Sequence, residues 1–159
     1  MKTSALGTQL RYLIEHLDGA VEESYRLAGL DYRPRYTPVL RTLLALGPST
    51  IRAISNETGI SHSGVSQTVS HMTARGWVAL GSSEDGRERV VSLTRFSERN
   101  IPELEKCWNA TARAAQSLDA ELSHPLSALL EEAIAALDKQ SFGERLAAAR
   151  RRVTPARPP

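Results

Sequence analysis

The sequence is short of most features that would announce chemistry. It has one cysteine, Cys107, so the chain forms no internal disulfide and a reducing setting, the cytoplasm, is expected. Aromatic residues make up only 5%, which assigns most of the packing to Leu, Ala, Val and Ile. The formal net charge of +2 is too balanced to name a nucleic-acid partner; local placement has to do that. No apolar run approaches the roughly 18 residues of a membrane span. The first seven residues also lack the apolar stretch and small-residue cleavage site of a secretory leader. No membrane partner is expected. Glycines are scattered rather than gathered into a phosphate loop, and His16, His62, His71 and His124 do not fall at metal-ligand spacing with Cys107. No nucleophile–histidine–carboxylate set or carboxylate pair stands out, so neither catalysis nor a cofactor is expected.

What the chain does have is helical periodicity and well-placed punctuation. Leu6, Leu10, Leu13, Leu17, Val21 and Tyr25 recur at spacings of three and four, with Arg11, Glu15, Asp18 and Glu22 between them. This predicts a long amphipathic helix that Gly29 and Arg33-Pro34 terminate. Thr37-Pro38 reads as an N-cap followed by proline at the first helical position. Val39, Leu40, Leu43 and Leu44 form the stripe of that helix, and Gly47-Pro48 stops it.

Residues 50–94 carry the densest signal. A short helix from Thr50 runs into Gly59, placed where a tight turn needs positive φ. Ser55 is small enough to let two helices approach. Ser61 is a suitable N-cap for a second helix that ends at Gly76. Ile54, Ile60, Val65, Val69 and Met72 are spaced to face one core. Val78 and Leu80, then Val90, Val91 and Leu93, flank Asp85-Gly86, a strong hairpin signal. Helix, turn, helix and hairpin in this order make a winged helix-turn-helix, which lays its second helix in the DNA major groove.

Beyond Thr94 the pattern is helical again. Ile101, Leu104, Cys107, Trp108 and Ala112 form a stripe continued by Ala115, Leu118 and Leu122, and Pro102 is expected in the first turn or at a kink. His124-Pro125 opens a helix with Leu126, Leu129, Leu130, Ala133, Ile134 and Leu137. Ser141 and Glu144 have capping-box spacing for a last helix reaching about Arg150. The expected organisation is an N-terminal dimerisation helix (1–34), a winged core (35–96), C-terminal dimerisation helices (97–150) and a disordered basic tail (151–159). The fold class is mostly α with a small β-hairpin wing. Such long helices carry more apolar surface than a small winged core covers, which implies a homodimer.

Candidate recognition residues follow from this placement. The exposed face of the second helix offers Ser61, His62, Ser63, Ser66, Gln67, Ser70 and His71. Gln67 is the expected base reader, because its amide pairs bidentately with adenine; the serines suit phosphate or water-mediated contacts. Arg87 at the hairpin tip is placed for the minor groove, Asp85 to orient it or to bind Arg75, and Arg89 for phosphate. Residues 35–95 hold seven basic side chains against four acidic ones, so salt-sensitive binding of double-stranded DNA is expected. Tyr12, His16, Tyr32, Tyr36 and Trp108 are candidates for an effector pocket, with ordinary packing as the equal alternative. A buried Cys107 is the expectation; a redox-sensing Cys107 and a protein-binding adaptor without DNA affinity are the rival readings.

Gly59-Ile60-Ser61, Val65-Ser66, Gly76-Trp77-Val78, and Asp85-Gly86-Arg87 followed by Leu93-Thr94 resemble the MarR family of bacterial transcription regulators. The resemblance extends over nearly the whole chain, with Gln67 standing where the family often has arginine. It implies a two-fold dimer with two winged cores on a palindromic operator. It further implies a repressor that a small-molecule effector, bound between winged and helical parts, releases from DNA.

Overall fold

A computed structural model describes residues 5–82 and 89–153. Its element order is α1 (Leu6–Leu27), a 3-10 turn (Pro34–Tyr36), α2 (Thr37–Leu46), β1 (Ser49–Thr50), α3 (Ile51–Thr58), α4 (His62–Ala74), β2 (Val78–Ser82), β3 (Arg89–Leu93), α5 (Arg95–Glu121), α6 (Leu126–Lys139) and α7 (Phe142–Val153). The chain divides into two compact units, one through Thr111 and one from Ala112.

The first unit holds the buried core. Tyr36, Val39, Leu40, Ile54, Val65, Met72, Trp77, Val91 and Leu104 are fully enclosed there. The stripe expected from Ile54 through Met72 is present, with Ile60 packed at its margin. The core's centre differs from the composition-based expectation, however. Three of the four tyrosines and both tryptophans are buried. Tyr32 meets Tyr25, Tyr36 and Trp77 edge-on, with ring centroids 4.9, 5.5 and 4.8 Å away, and Trp77 meets Phe96 at 5.0 Å. Aromatics are few but concentrated, and edge-to-face pairs stabilise beyond the area they bury.

Three local features add to or depart from the expectations. Thr37 is not a cap. Pro34 opens a 3-10 turn that runs directly into α2, which moves the N-cap position to Tyr36 and leaves Thr37 inside the helix. The expected hairpin of β2 and β3 is present and gains a third strand. Ser49 and Thr50 pair antiparallel with Val91 and Val90, so β3 lies between β1 and β2. Pro102 lies well inside α5 rather than in its first turn, because the helix starts at Arg95. Its start is secured by Thr94 and Ser97: the Ser97 amide donates to Thr94 Oγ1 at 3.2 Å and the Thr94 amide to Ser97 Oγ at 2.9 Å.

In the second unit, α6 has no buried residue. Asp119, near the end of α5, caps it: Asp119 Oδ1 accepts from the Leu126 amide at 2.8 Å, and Oδ2 accepts from the Ser127 hydroxyl. The expected capping box opens α7, with the Ser141 amide donating to Glu144 at 2.8 Å and the Glu144 amide to Ser141 Oγ at 3.3 Å. α7 continues to Val153, three residues into the stretch expected as a tail. No helix among the described residues is long and apolar enough to cross a membrane.

Candidate nucleic-acid interface

The α3–α4 pair is built by local chemistry at each junction. Thr50 caps α3 by accepting from the Ala53 amide at 3.2 Å. Gly59 closes α3 at φ 69°, in the left-handed region that the turn requires. Ser55 does more than leave room: its hydroxyl donates to the Ile60 carbonyl at 2.6 Å and pins the turn to α3. Ser61 then caps α4 by accepting from the Gly64 amide at 3.2 Å. Gly64 itself is needed for close approach, since a Cβ there would lie 3.0 Å from Ile60 Cγ2 and 3.2 Å from Ser61 Oγ. At the far end of α4, the Trp77 amide donates to the Met72 carbonyl and the Gly76 amide to that of Thr73, the double bond of a Schellman stop.

α4 buries Val65, Val69 and Met72 and exposes His62, Ser63, Gln67, Ser70 and His71; Ser66 is half-buried at the margin. Successive residues turn by about 100°, so the exposed residues span about half the helix circumference. Ser63, Ser70 and Gln67 lie towards its middle, and His62 and His71 at its two edges. From His62 to Ala74 the helix holds no Asp, Glu, Lys or Arg. Such a face presents hydrogen-bonding groups without fixed charge.

β2 of the wing packs against α4. β2 and β3 pair from Val78–Leu93 to Ser82–Arg89, which places exposed Arg89 in the last pair before residues 83–88. Asp85 and Arg87 lie outside the described residues.

One tie was not legible in the sequence. Asp31, in the loop after α1, accepts from Arg75 Nε at 3.2 Å through its carboxylate and from Trp77 Nε1 at 2.8 Å through its carbonyl. Arg75 thus has Asp31 as a partner. A separation of more than forty residues leaves no local pattern to reveal this pairing.

The expected effector residues divide between the exposed surface of α1 and the buried core. Tyr12 and His16 are exposed on α1, with ring centroids 4.0 Å apart and the rings tilted by 39°. Tyr32 and Tyr36 belong to the aromatic core, and burial pushes the Tyr32 hydroxyl well above its ordinary range. Trp108 is buried beneath the Arg41 guanidinium, 4.7 Å from its ring centroid. A cleft of about 600 Å³ instead opens beside Gly19, Glu22, Arg26, Leu30 and Asp31, and shares only Tyr32 with the expected set. Its carboxylates are paired: Glu22 with Arg33 at 2.7 Å and Asp31 with Arg75. Cys107 is buried as expected. No cluster of potential metal ligands occurs among the described residues.

Residues 29–88 match the family model described as the MarR family. A regulator of the helix-turn-helix type from Bacillus subtilis strain 168, YwoH, itself uncharacterised, is 27% identical over 104 residues, covering 60% of this chain and 76% of that one. Among solved structures, the PcaV transcriptional regulator from Streptomyces coelicolor, in complex with its natural ligand, is 21% identical. It aligns over 89% of this chain and 99% of its own with a TM-score of 0.59. Overoxidised AbfR bound to DNA is 19% identical over 84% of this chain and 93% of its own, with a TM-score of 0.60. At these identities the structures establish a common fold.

Proposed function

We propose that this chain, a transcriptional regulator with the DNA-binding fold of the MarR family over residues 29–88, is a ligand-responsive repressor that binds a palindromic operator as a homodimer. The exposed face of α4 carries this reading. It is polar, free of fixed charge, and adjoins an antiparallel wing whose sequence holds Arg87 and Arg89. Within it, Gln67 reads a base, Ser63 and Ser70 contact phosphates or bridging waters, and Arg87 enters the minor groove.

A dimer is supported by apolar surface that a single chain leaves open. Leu6, Ile14 and Leu17 on α1 are exposed, as are Leu129, Leu130, Ile134 and Leu137 on α6. Two-fold pairing buries such stripes and holds two α4 helices about 34–36 Å apart, one helical repeat of DNA. The PcaV complex with its ligand supports an effector-bound state, and bound AbfR supports the DNA-bound one. Selection of duplexes from random sequence by the full-length protein tests the reading. Recovery of an inverted repeat with half-site centres one helical turn apart is the expected result. Failure to enrich any sequence removes it.

A further inference from the structure

We infer that His62 and His71 form a proton-dependent clamp on the two phosphate walls of the major groove, so that operator affinity rises as pH falls. The inference rests on the DNA-binding reading and adds the chemistry by which α4 holds the backbone. Most groove-binding helices can anchor themselves with lysine or arginine, whose charge does not vary near neutrality. α4 has neither from His62 to Ala74, and its two histidines are its only ionisable groups.

Their positions suit the task. His62 and His71 are separated by about 180° around the helix and lie at opposite edges of the exposed arc. A helix about 10–12 Å across fills a groove about 12 Å wide. With the middle of the exposed arc turned to the groove floor, the two edges face the two strands. One imidazole then meets the backbone on each side.

Among the described residues, the elements packed against α4 supply little negative charge. Elements packed against α4 bring Arg41 from α2, Arg52 and Glu57 from α3, and Arg35 from the 3-10 turn, while β2 brings no charged group. Arg75 follows the helix and is engaged by Asp31. Glu57 is therefore the one carboxylate on these packed elements, and basic groups outnumber it. Bound DNA brings a phosphate anion to each edge of the arc. Imidazole changes charge between about pH 5 and pH 8, and a charged donor makes a hydrogen bond to phosphate roughly twice as strong as a neutral one. Binding then takes up protons, which makes it tighter at lower pH.

The test measures binding of the full-length protein to a duplex of about 30 base pairs recovered by random-sequence selection at about pH 6. Fluorescence anisotropy is read at about pH 6 and about pH 8 over a range of salt, with circular dichroism confirming folding at both. The wild-type Kd is expected to fall by roughly tenfold from the higher to the lower pH. The salt slope should steepen by about 0.9 for each phosphate newly neutralised. The double variant His62→Gln, His71→Gln should lose most of the pH ratio, each single variant part of it, and His124→Gln none. A wild-type ratio near one, with sequence-selective binding intact, overturns the clamp and leaves the regulator reading standing. So does a double variant that keeps the full ratio. Absence of binding to every selected duplex at both pH values overturns the two together.

Discussion

Gly64, Trp77 and Gln67 do different work within the winged core, and each can be tested alone. Gly64 keeps the Ile60 side chain and the Ser61 cap against the first turn of α4. Gly64→Val should therefore destabilise the fold by about 1–3 kcal/mol through overpacking, read from the urea midpoint. Trp77 combines burial with a hydrogen bond to the Asp31 carbonyl. Trp77→Phe retains most of the apolar area and should cost about 1 kcal/mol, whereas Trp77→Ala should cost about 3–5 kcal/mol. Similar losses in both variants would show that the ring's buried area contributes little beyond the hydrogen bond. Gln67 is exposed on α4. Gln67→Ala should relax selection at one base pair per half-site without lowering the unfolding midpoint. An unchanged selection logo removes it from the base-reading set.

The capping of α6 makes that element sensitive to acid. The Ser127 hydroxyl, assisted by the Ser127 and Leu126 amides, holds the Asp119 carboxyl below its ordinary range. A carboxyl whose folded pKa lies below its unfolded value contributes stability above the unfolded value and loses it as pH falls through the folded one. Protection of the α6 amides from hydrogen exchange should accordingly fade below about pH 4. Asp119→Asn, which retains an acceptor but does not titrate there, should remove this acid-dependent change. Asp119→Ala should expose the Leu126 and Ser127 amides at every pH. At the first strand the lesson is one of length. Ser49 and Thr50 are too few to show alternation, and only their pairing with Val91 and Val90 makes them a strand.

For the whole molecule, the expected assembly and charge distribution set two outcomes. The protein should sediment as two subunits, and Ile134→Glu, at an exposed apolar position on α6, should shift it towards one while the first unit keeps its unfolding transition. A variant that sediments like wild type would place the pairing surface elsewhere. Arg87→Ala should weaken operator binding by about 1–3 kcal/mol and flatten its salt dependence by about one phosphate contact. Unaltered titrations at two salt concentrations would count against a role for the wing.

The helices, the Gly59 turn, the Ser61 cap, the Ser141–Glu144 box and the hairpin strands were legible from residue order, because each depends on neighbours within about four positions or on strict alternation. The polar character of α4 was legible for the same reason. Folding in three dimensions settled other matters: the joining of Asp31 to Arg75 and Trp77, the gathering of scarce aromatics around Tyr32, and the separation of Tyr12 and His16 from the buried tyrosines. Those relations span tens of residues. Side-chain contacts at that range depend on how elements cross and pack, and a linear pattern carries no record of it.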